Sequence, residues 1–225
     1  MPVIAPPPNR TPSIATGPAA VGPLDLADVT PVRMTVDGVR ELLRLGFLQD
    51  DSSQELIDGV LVYRDRGRGI GMPASAEHVS CVRRLRKLFE AALPGDRFVV
   101  AQESDTAVNE VNLPQPDVAV LVGTEDDFLT RYPTAAEVAL VAEVSSSSLR
   151  TDRGSKSRLY AAAGIPAYLI LDIDGRSAEL RTDPDAGKKE FASRALFTEP
   201  DEVRVPVAGF GDVSLSIAAV LPPMS

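Results

Sequence analysis

Several residue types with distinctive chemistry are nearly missing from this chain. It has no tryptophan, one cysteine (Cys81) and one histidine (His78). A single thiol cannot close an internal disulfide, so nothing points to an oxidising compartment. A single imidazole cannot build a histidine-rich metal site. No apolar run approaches the roughly 20 residues that a membrane-spanning helix needs. The start, MPVIAPPPNR, has no basic segment followed by an unbroken apolar stretch, so it does not read as a signal peptide. These absences lead us to expect a cytoplasmic protein with no membrane partner. Basic charge is scarce too. The formal net charge of −9 argues against a wide, passive nucleic-acid footprint.

What is present suits one globular domain. Hydrophobic residues make up 44% and charged residues 24%, both ordinary values. Residues 1–31 carry Pro2, Pro6, Pro7, Pro8, Pro12, Pro18 and Pro23 among small residues. Proline removes backbone donors, and little apolar area is there to offset ordering entropy. This segment is expected to be a disordered tail, leaving 32–225 as a single domain. The distribution of charge says more than its sum. Arg64 to Lys87 holds seven basic residues against two acidic, and Leu149 to Arg158 holds four against one. Between Ala101 and Glu143, nine acids face Arg131 alone. An acidic centre with basic flanks suits a metal site with anion-holding edges; solvated faces are the plainer reading.

The periodicity predicts an α/β sandwich. Thr35 caps a helix carrying Val36, Val39, Leu42 and Leu43, which Gly46 ends. A strand follows over Glu55–Tyr63, with Asp58-Gly59 as a turn or bulge. Val79, Val82, Leu85, Leu88 and Ala92 mark a second helix. Arg97–Ala101, Pro116–Val122, Ala139–Val144 and Ala167–Ile173 read as strands. Of these, Pro116–Val122 and Ala139–Val144 are nearly all apolar and therefore interior. A third helix spans Thr151 to Ala163, with Thr151 or Asp152 as its cap and Gly164 as its stop. Ser177–Leu221 reads as short antiparallel strands.

Two carboxylates stand out. Asp117 opens the apolar run Val118-Ala119-Val120, and Glu143 ends Leu140-Val141-Ala142. Ionised carboxylates are rarely buried without a partner. A shared Mg²⁺ or Mn²⁺ would supply one, because hard cations take oxygen ligands and cancel mutual repulsion. Strand-end exposure, or pairing with arginine, is the other explanation. Lys156 sits early in the third helix, where it reaches over the sheet edge or pairs with Asp152 four residues before it. His78 either touches a substrate or caps the second helix. Cys81 reads as a small core residue, not a nucleophile. No nucleophile-elbow glycines surround Ser145–Ser148, which argues against a serine hydrolase. Arg64, Arg66, Arg68, Arg83, Arg84, Lys87 and Arg153 are candidates for nucleic-acid contacts, and Arg153 and Arg158 flank the carboxylates.

The ordered set Pro116-Asp117, Glu143-Val144-Ser145, Asp152, Lys156 and Tyr160-Ala161-Ala162-Ala163-Gly164-Ile165-Pro166-Ala167-Tyr168-Leu169-Ile170-Leu171-Asp172 resembles the PD-(D/E)XK nuclease superfamily. It looks most like the Uma-type "putative restriction endonuclease" family. Glu55-Leu56-Ile57-Asp58-Gly59 is similar to that family's first strand, and His78 stands where the family has a His. The resemblance covers about Thr35 to Leu221. It implies a restriction-endonuclease-like mixed β-sheet flanked by helices, with Asp117 and Glu143 as metal ligands and Lys156 as the catalytic lysine. Glu55 becomes a possible additional site carboxylate. One departure is plain: the superfamily lysine stands two residues after the Glu, where this chain has Ser145.

The function expected is a Mg²⁺-dependent (or Mn²⁺-dependent) endonuclease acting on DNA, with a homodimer as a possible assembly. The alternative is a catalytically inactive nuclease-fold protein that serves as a binding or assembly module. Metal binding separates the two.

Overall fold

The computed structural model describes residues 32–48, 54–63 and 74–223. The proline-rich segment 1–31 and the loop 64–73, with Arg64, Arg66 and Arg68, lie outside the described residues. The first helix, α1 (Val36–Arg44), opens where Thr35 Oγ1 accepts a bond from Gly38 N at 3.1 Å. The chain leaves it through Gly46, which takes a positive φ of 74°. Strands β1 (Gln54–Ile57) and β2 (Val60–Tyr63) then form a hairpin. Asp58 (φ 50°) and Gly59 (φ 75°) both turn left-handed, so Asp58-Gly59 is a tight turn. Leu56 of β1 packs with Val36 and Val39 of α1 and with Leu113.

Helix α2 (Ala76–Ala92) buries His78, Cys81, Val82, Leu85 and Phe89. Its core stripe therefore differs from the expected Val79–Ala92 stripe. Both satisfy the helical period, and the larger ring of Phe89 takes the inner position while Leu88 is only half-buried. Strands β3 (Phe98–Gln102), β4 (Val118–Val122), β5 (Val138–Ser145), β6 (Ala167–Asp172), β7 (Ser177–Asp185) and β8 (Glu190–Thr198) form one six-stranded sheet in that order. Only β5 and β6 run parallel. A parallel pair needs a crossover. The helical run 149–162 supplies it: α3 (Leu149–Thr151), a π-helical turn (Asp152–Lys156) and α4 (Ser157–Ala162). The expected run of short strands after Ser177 resolves differently. Strands β7 and β8 have nine residues each and complete the sheet. Strands β9 (Glu202–Val207) and β10 (Gly211–Ser216) make a separate hairpin, followed by the short α5 (Ile217–Val220).

Alternation along the strands sorts the core into two layers. One face of the sheet, with Val118, Val120, Leu140, Ala142, Leu169 and Leu171, packs on α2, β9, β10 and α5. The other face, with Ala119, Leu121, Val141, Tyr168 and Ile170, packs on Tyr160 and Ile165. The result is a mixed sheet flanked by helices. Among the described residues no helix is long and apolar enough to cross a membrane.

The hairpin turn generates a direct test. A Cβ built on Gly59 would lie 2.5 Å from Arg33 Cβ and 3.0 Å from Met34 O, on a backbone that L residues avoid. Gly59→Ala is expected to destabilise the fold by about 1–3 kcal/mol. Chemical denaturation should register it as a lower midpoint with an unchanged slope.

Candidate active site

Each proposed side chain owes its place to strand alternation or helical spacing. Asp117 directly precedes β4, in phase with Ala119 and Leu121. Its Oδ2 accepts a hydrogen bond from Val144 N of β5 at 2.7 Å. The β4–β5 ladder ends at Val118–Ala142, so the Asp117 carboxylate continues the pairing by one step. Its Oδ1 lies 3.4 Å from His78 Nε2, which α2 points across the sheet edge.

Glu143 lies two residues beyond Val141 on the same face of β5. Its Oε1 accepts from Lys156 Nζ at 2.8 Å and from Tyr160 OH at 2.9 Å. Lys156 and Tyr160 are four apart on the helical run and therefore share its inner face. Burial first, and the nearby Glu143 charge second, push the Tyr160 phenol well above its ordinary value. It stays a neutral donor. Lys156 Nζ also lies 3.4 Å from Glu55 Oε1, and Gln115 N donates to that same oxygen at 2.8 Å. The β1–β2 hairpin thus brings Glu55 to the lysine. Asp117, Glu143, Lys156, Glu55 and His78 all line one cavity of about 280 Å³, whose other walls include Ile57, Val62, Tyr63 and Leu159.

The geometry rules out one alternative at each of three residues. Asp152 is not a helix cap. It lies inside the helical run, buried, and its Oδ2 accepts from Ser145 Oγ at 2.6 Å and Ser148 Oγ at 2.8 Å. Burial holds the Asp152 carboxyl above its usual range, with Lys156 and the two hydroxyls opposing. Lys156 is not a surface partner of Asp152, because the inward turn of the helix gives it to Glu143. His78 caps nothing with its ring: Ser75 Oγ is the cap, accepting from His78 N at 3.1 Å.

The proposed nucleic-acid contacts divide. Arg84 Nη1 donates to Leu221 O at 2.6 Å, a tie to the C-terminal segment. Arg153 Nε donates to Glu179 Oε2 at 2.8 Å. Arg83 and Lys87 stand exposed on α2.

Two carboxylates escaped the sequence reading. Glu103, just past β3, takes a positive φ of 48° and bonds through its N to Asp117 O at 3.1 Å. One ligand atom each from His78, Glu103 and Asp117 lie within 4.8 Å of one another. Glu103 becomes visible only from the pairing of Gln102 with Val118, which sets it beside Asp117. Glu179 is buried on β7 and holds Arg153, Arg181 and Arg194. The spacing of Glu179 and Arg181 on one strand face was its one sequence signal. Two carboxylate oxygens and an imidazole nitrogen form a donor set that a divalent cation accepts.

Cys81 takes no part in this site. Burial pushes its thiol up to about 11, against the pull of Arg84 and Arg176. The thiolate is then scarce near neutrality. A thiol reagent at about pH 8 is expected to label the native protein far more slowly than the urea-unfolded chain. Equal rates would show that Cys81 is accessible.

A search of curated proteins matches nothing. Among solved structures, the chain is similar to the crystal structure of a "putative nuclease belonging to DUF820" from Anabaena variabilis. The TM-score is 0.63 at 17% identity, covering 84% of this chain and 97% of that one, which establishes the shared fold. Residues 39–218 match the model of Uma2, described as "putative restriction endonuclease", and the chain therefore belongs to that family.

Proposed function

We propose that this protein is a divalent-metal-dependent endonuclease that hydrolyses DNA phosphodiester bonds, with residues 32–225 as its nuclease-like domain. One observation carries the reading. A single cavity gathers two carboxylates from adjacent strands, Asp117 and Glu143, with a lysine whose Nζ lies 2.8 Å from Glu143 Oε1. The donor set around Asp117 supports a cation there. Asp117 and Glu143 would hold it, with Glu103 and His78 close to Asp117. The carboxylate donors suit Mg²⁺ or Mn²⁺. Such a cation, when bound, lowers the pKa of a coordinated water and neutralises charge on phosphate oxygens.

The remaining work falls to the chain. Glu143 fixes the Lys156 ammonium at the cavity wall, where it offsets negative charge developing on the phosphate. Tyr160 keeps Glu143 in place as a neutral donor. Ile57, Val62 and Leu159 narrow the cavity and limit water. Arg83 and Lys87, exposed on α2, are our candidates for contacts to the DNA backbone.

The second reading, a catalytically inactive binding or assembly module, has two supports. The net charge is −9, and Lys156 is already engaged by Glu143 and Glu55. In that case the lysine is a latch that neutralises buried acids.

Plasmid, linear duplex, single strands and RNA, each incubated with Mg²⁺ or Mn²⁺, provide the test. Metal-dependent cleavage of DNA is expected, and chelation should abolish it. Metal at a hundredfold over its Kd should stabilise the parent by about 2.7 kcal/mol. Asp117→Asn and Glu143→Gln should lose both the stabilisation and the cleavage. Lys156→Ala should keep the stabilisation yet lose cleavage about 10²–10³-fold. Calorimetry that finds no metal binding in the parent would leave the binding module as the function.

A further inference from the structure

The helical run changes pitch at the residues that carry the lysine. Asp152–Lys156 is π-helical, whereas the turns before and after it are α-helical. Such a turn alters where later side chains point, and it recurs at functional sites. Two side chains from the sheet grip its backbone. Tyr168 OH donates to Asp152 O at 3.1 Å, and Arg181 Nη1 donates to Arg153 O at 3.1 Å. Arg181 also bonds Ser157 Oγ, one residue past Lys156.

Arg181 is itself held. Glu179 Oε1 accepts from Arg181 Nε at 2.6 Å, and Glu179 Oε2 accepts from Arg153 Nε at 2.8 Å. The sheet register explains why this matters for the site. Glu143 pairs with Ile170, and Ile170 pairs with Glu179, so the two acids stand in one row across three strands. Both are buried. The helical run lies over that row with Lys156 on Glu143 and Arg153, three residues earlier, on Glu179. Two cations on one helical turn meet two carboxylates on one sheet face. This pair of anchors fixes the roll and the height of the turn.

We infer that Glu179, Arg153 and Arg181 form a positioning element for Lys156: they clamp the π-helical turn so that the ammonium rests on Glu143. The chemical importance of this placement rests on the function proposed above. None of the three lines the cavity, so their action is through the lysine.

The test uses the full chain. Arg181→Met should lower kcat for DNA cleavage about 10²-fold, as expected for a misplaced catalytic group. KM and the metal-induced rise in melting temperature should stay as in the parent. Arg181→Lys should recover part of the loss. Arg176→Met is the matched control, because Arg176 likewise binds a carboxylate, Glu199, and a backbone carbonyl, Pro222 O. It should leave kcat unchanged. Hydrogen exchange supplies a readout that needs no activity: amides 152–157 should exchange faster in Arg181→Met and as in the parent in Arg176→Met. An Arg181→Met protein with parental kcat and parental exchange overturns the inference, as does an equal kcat loss in the control. A parent that cleaves nothing defeats the endonuclease reading alone, and exchange then decides the clamp. If Arg181→Met does not fold, Arg153→Met, which removes the bond to Glu179 Oε2, carries the same two measurements, and parental values in both overturn the clamp.

Discussion

A buried carboxylate must find a cation or a set of donors, and much of this site's architecture follows from that requirement. One face of the sheet carries Asp117, Glu143 and Glu179, all nearly inaccessible to water. Asp117 is answered from β5 and α2, Glu143 from the helical run, and Glu179 from that run and from β7 and β8. Asp117 takes Val144 N and the His78 ring, Glu143 takes Lys156 and Tyr160, and Glu179 takes three arginines. Removing one partner of such a pair typically costs about 3–5 kcal/mol, far more than an exposed pair contributes. The helical run therefore cannot slide on the sheet without breaking several of these bonds at once. Stability and the placement of reactive groups are here one property.

The same requirement explains what the sequence could reveal. Asp117 and Glu143 were legible because each interrupts a run of Val, Ala and Leu, and a charge in that setting demands a reason. The strands themselves were legible for the same apolar pattern, and β4, β5 and β6 formed close to where it placed them. Glu103 was not legible, and Glu179 showed only its spacing from Arg181. Their importance depends on which residue stands opposite on the next strand, and a single sequence carries no such register. A cap is one of the two readings of His78, because it sits near a helix start. Ser75 has the better side chain for that role, being short enough to fold back onto the third N–H. The choice between Thr151 and Asp152 as a cap rests on the same logic. Serine, threonine and aspartate all cap helices, so a cluster of them from Ser145 to Asp152 leaves the true start undetermined, and only the packing of Asp152 against Ser145 resolved it.

The charge balance bears on how the cavity meets a polyanion. Four of the cations are already engaged: Lys156 by Glu143 and Glu55, Arg153 and Arg181 by Glu179, Arg84 by a carbonyl. An incoming phosphate would have to compete with carboxylates for the lysine. A divalent cation bound as proposed would relieve that competition. It would add two positive charges beside Asp117, where one ligand atom each from His78, Glu103 and Asp117 lie within 4.8 Å of one another. The acidic character of the chain thus fits a site that becomes attractive to phosphate only when loaded with metal, and it fits poorly with binding driven by protein charge alone.

The position of the lysine has a structural cost that a strand-borne lysine would not have. A side chain two residues after Glu143 would share its strand face by alternation, with no help from the rest of the fold. This chain has Ser145 there, and Ser145 spends its hydroxyl on Asp152. The cation arrives instead from a helix above the sheet, and its height and roll depend on tertiary contacts. Asp152 ties the start of that turn to the end of β5 through Ser145 and Ser148. Glu179 and Arg181 tie its outer side to β7, and Tyr160 ties the following turn back to Glu143. A lysine carried on a helix thus needs the whole set of buried polar bonds to stand where local alternation alone would place one on the strand. That dependence explains why buried polar groups are concentrated on this face of the sheet, while the opposite face is packed with apolar side chains, Phe89 and Phe98 among them.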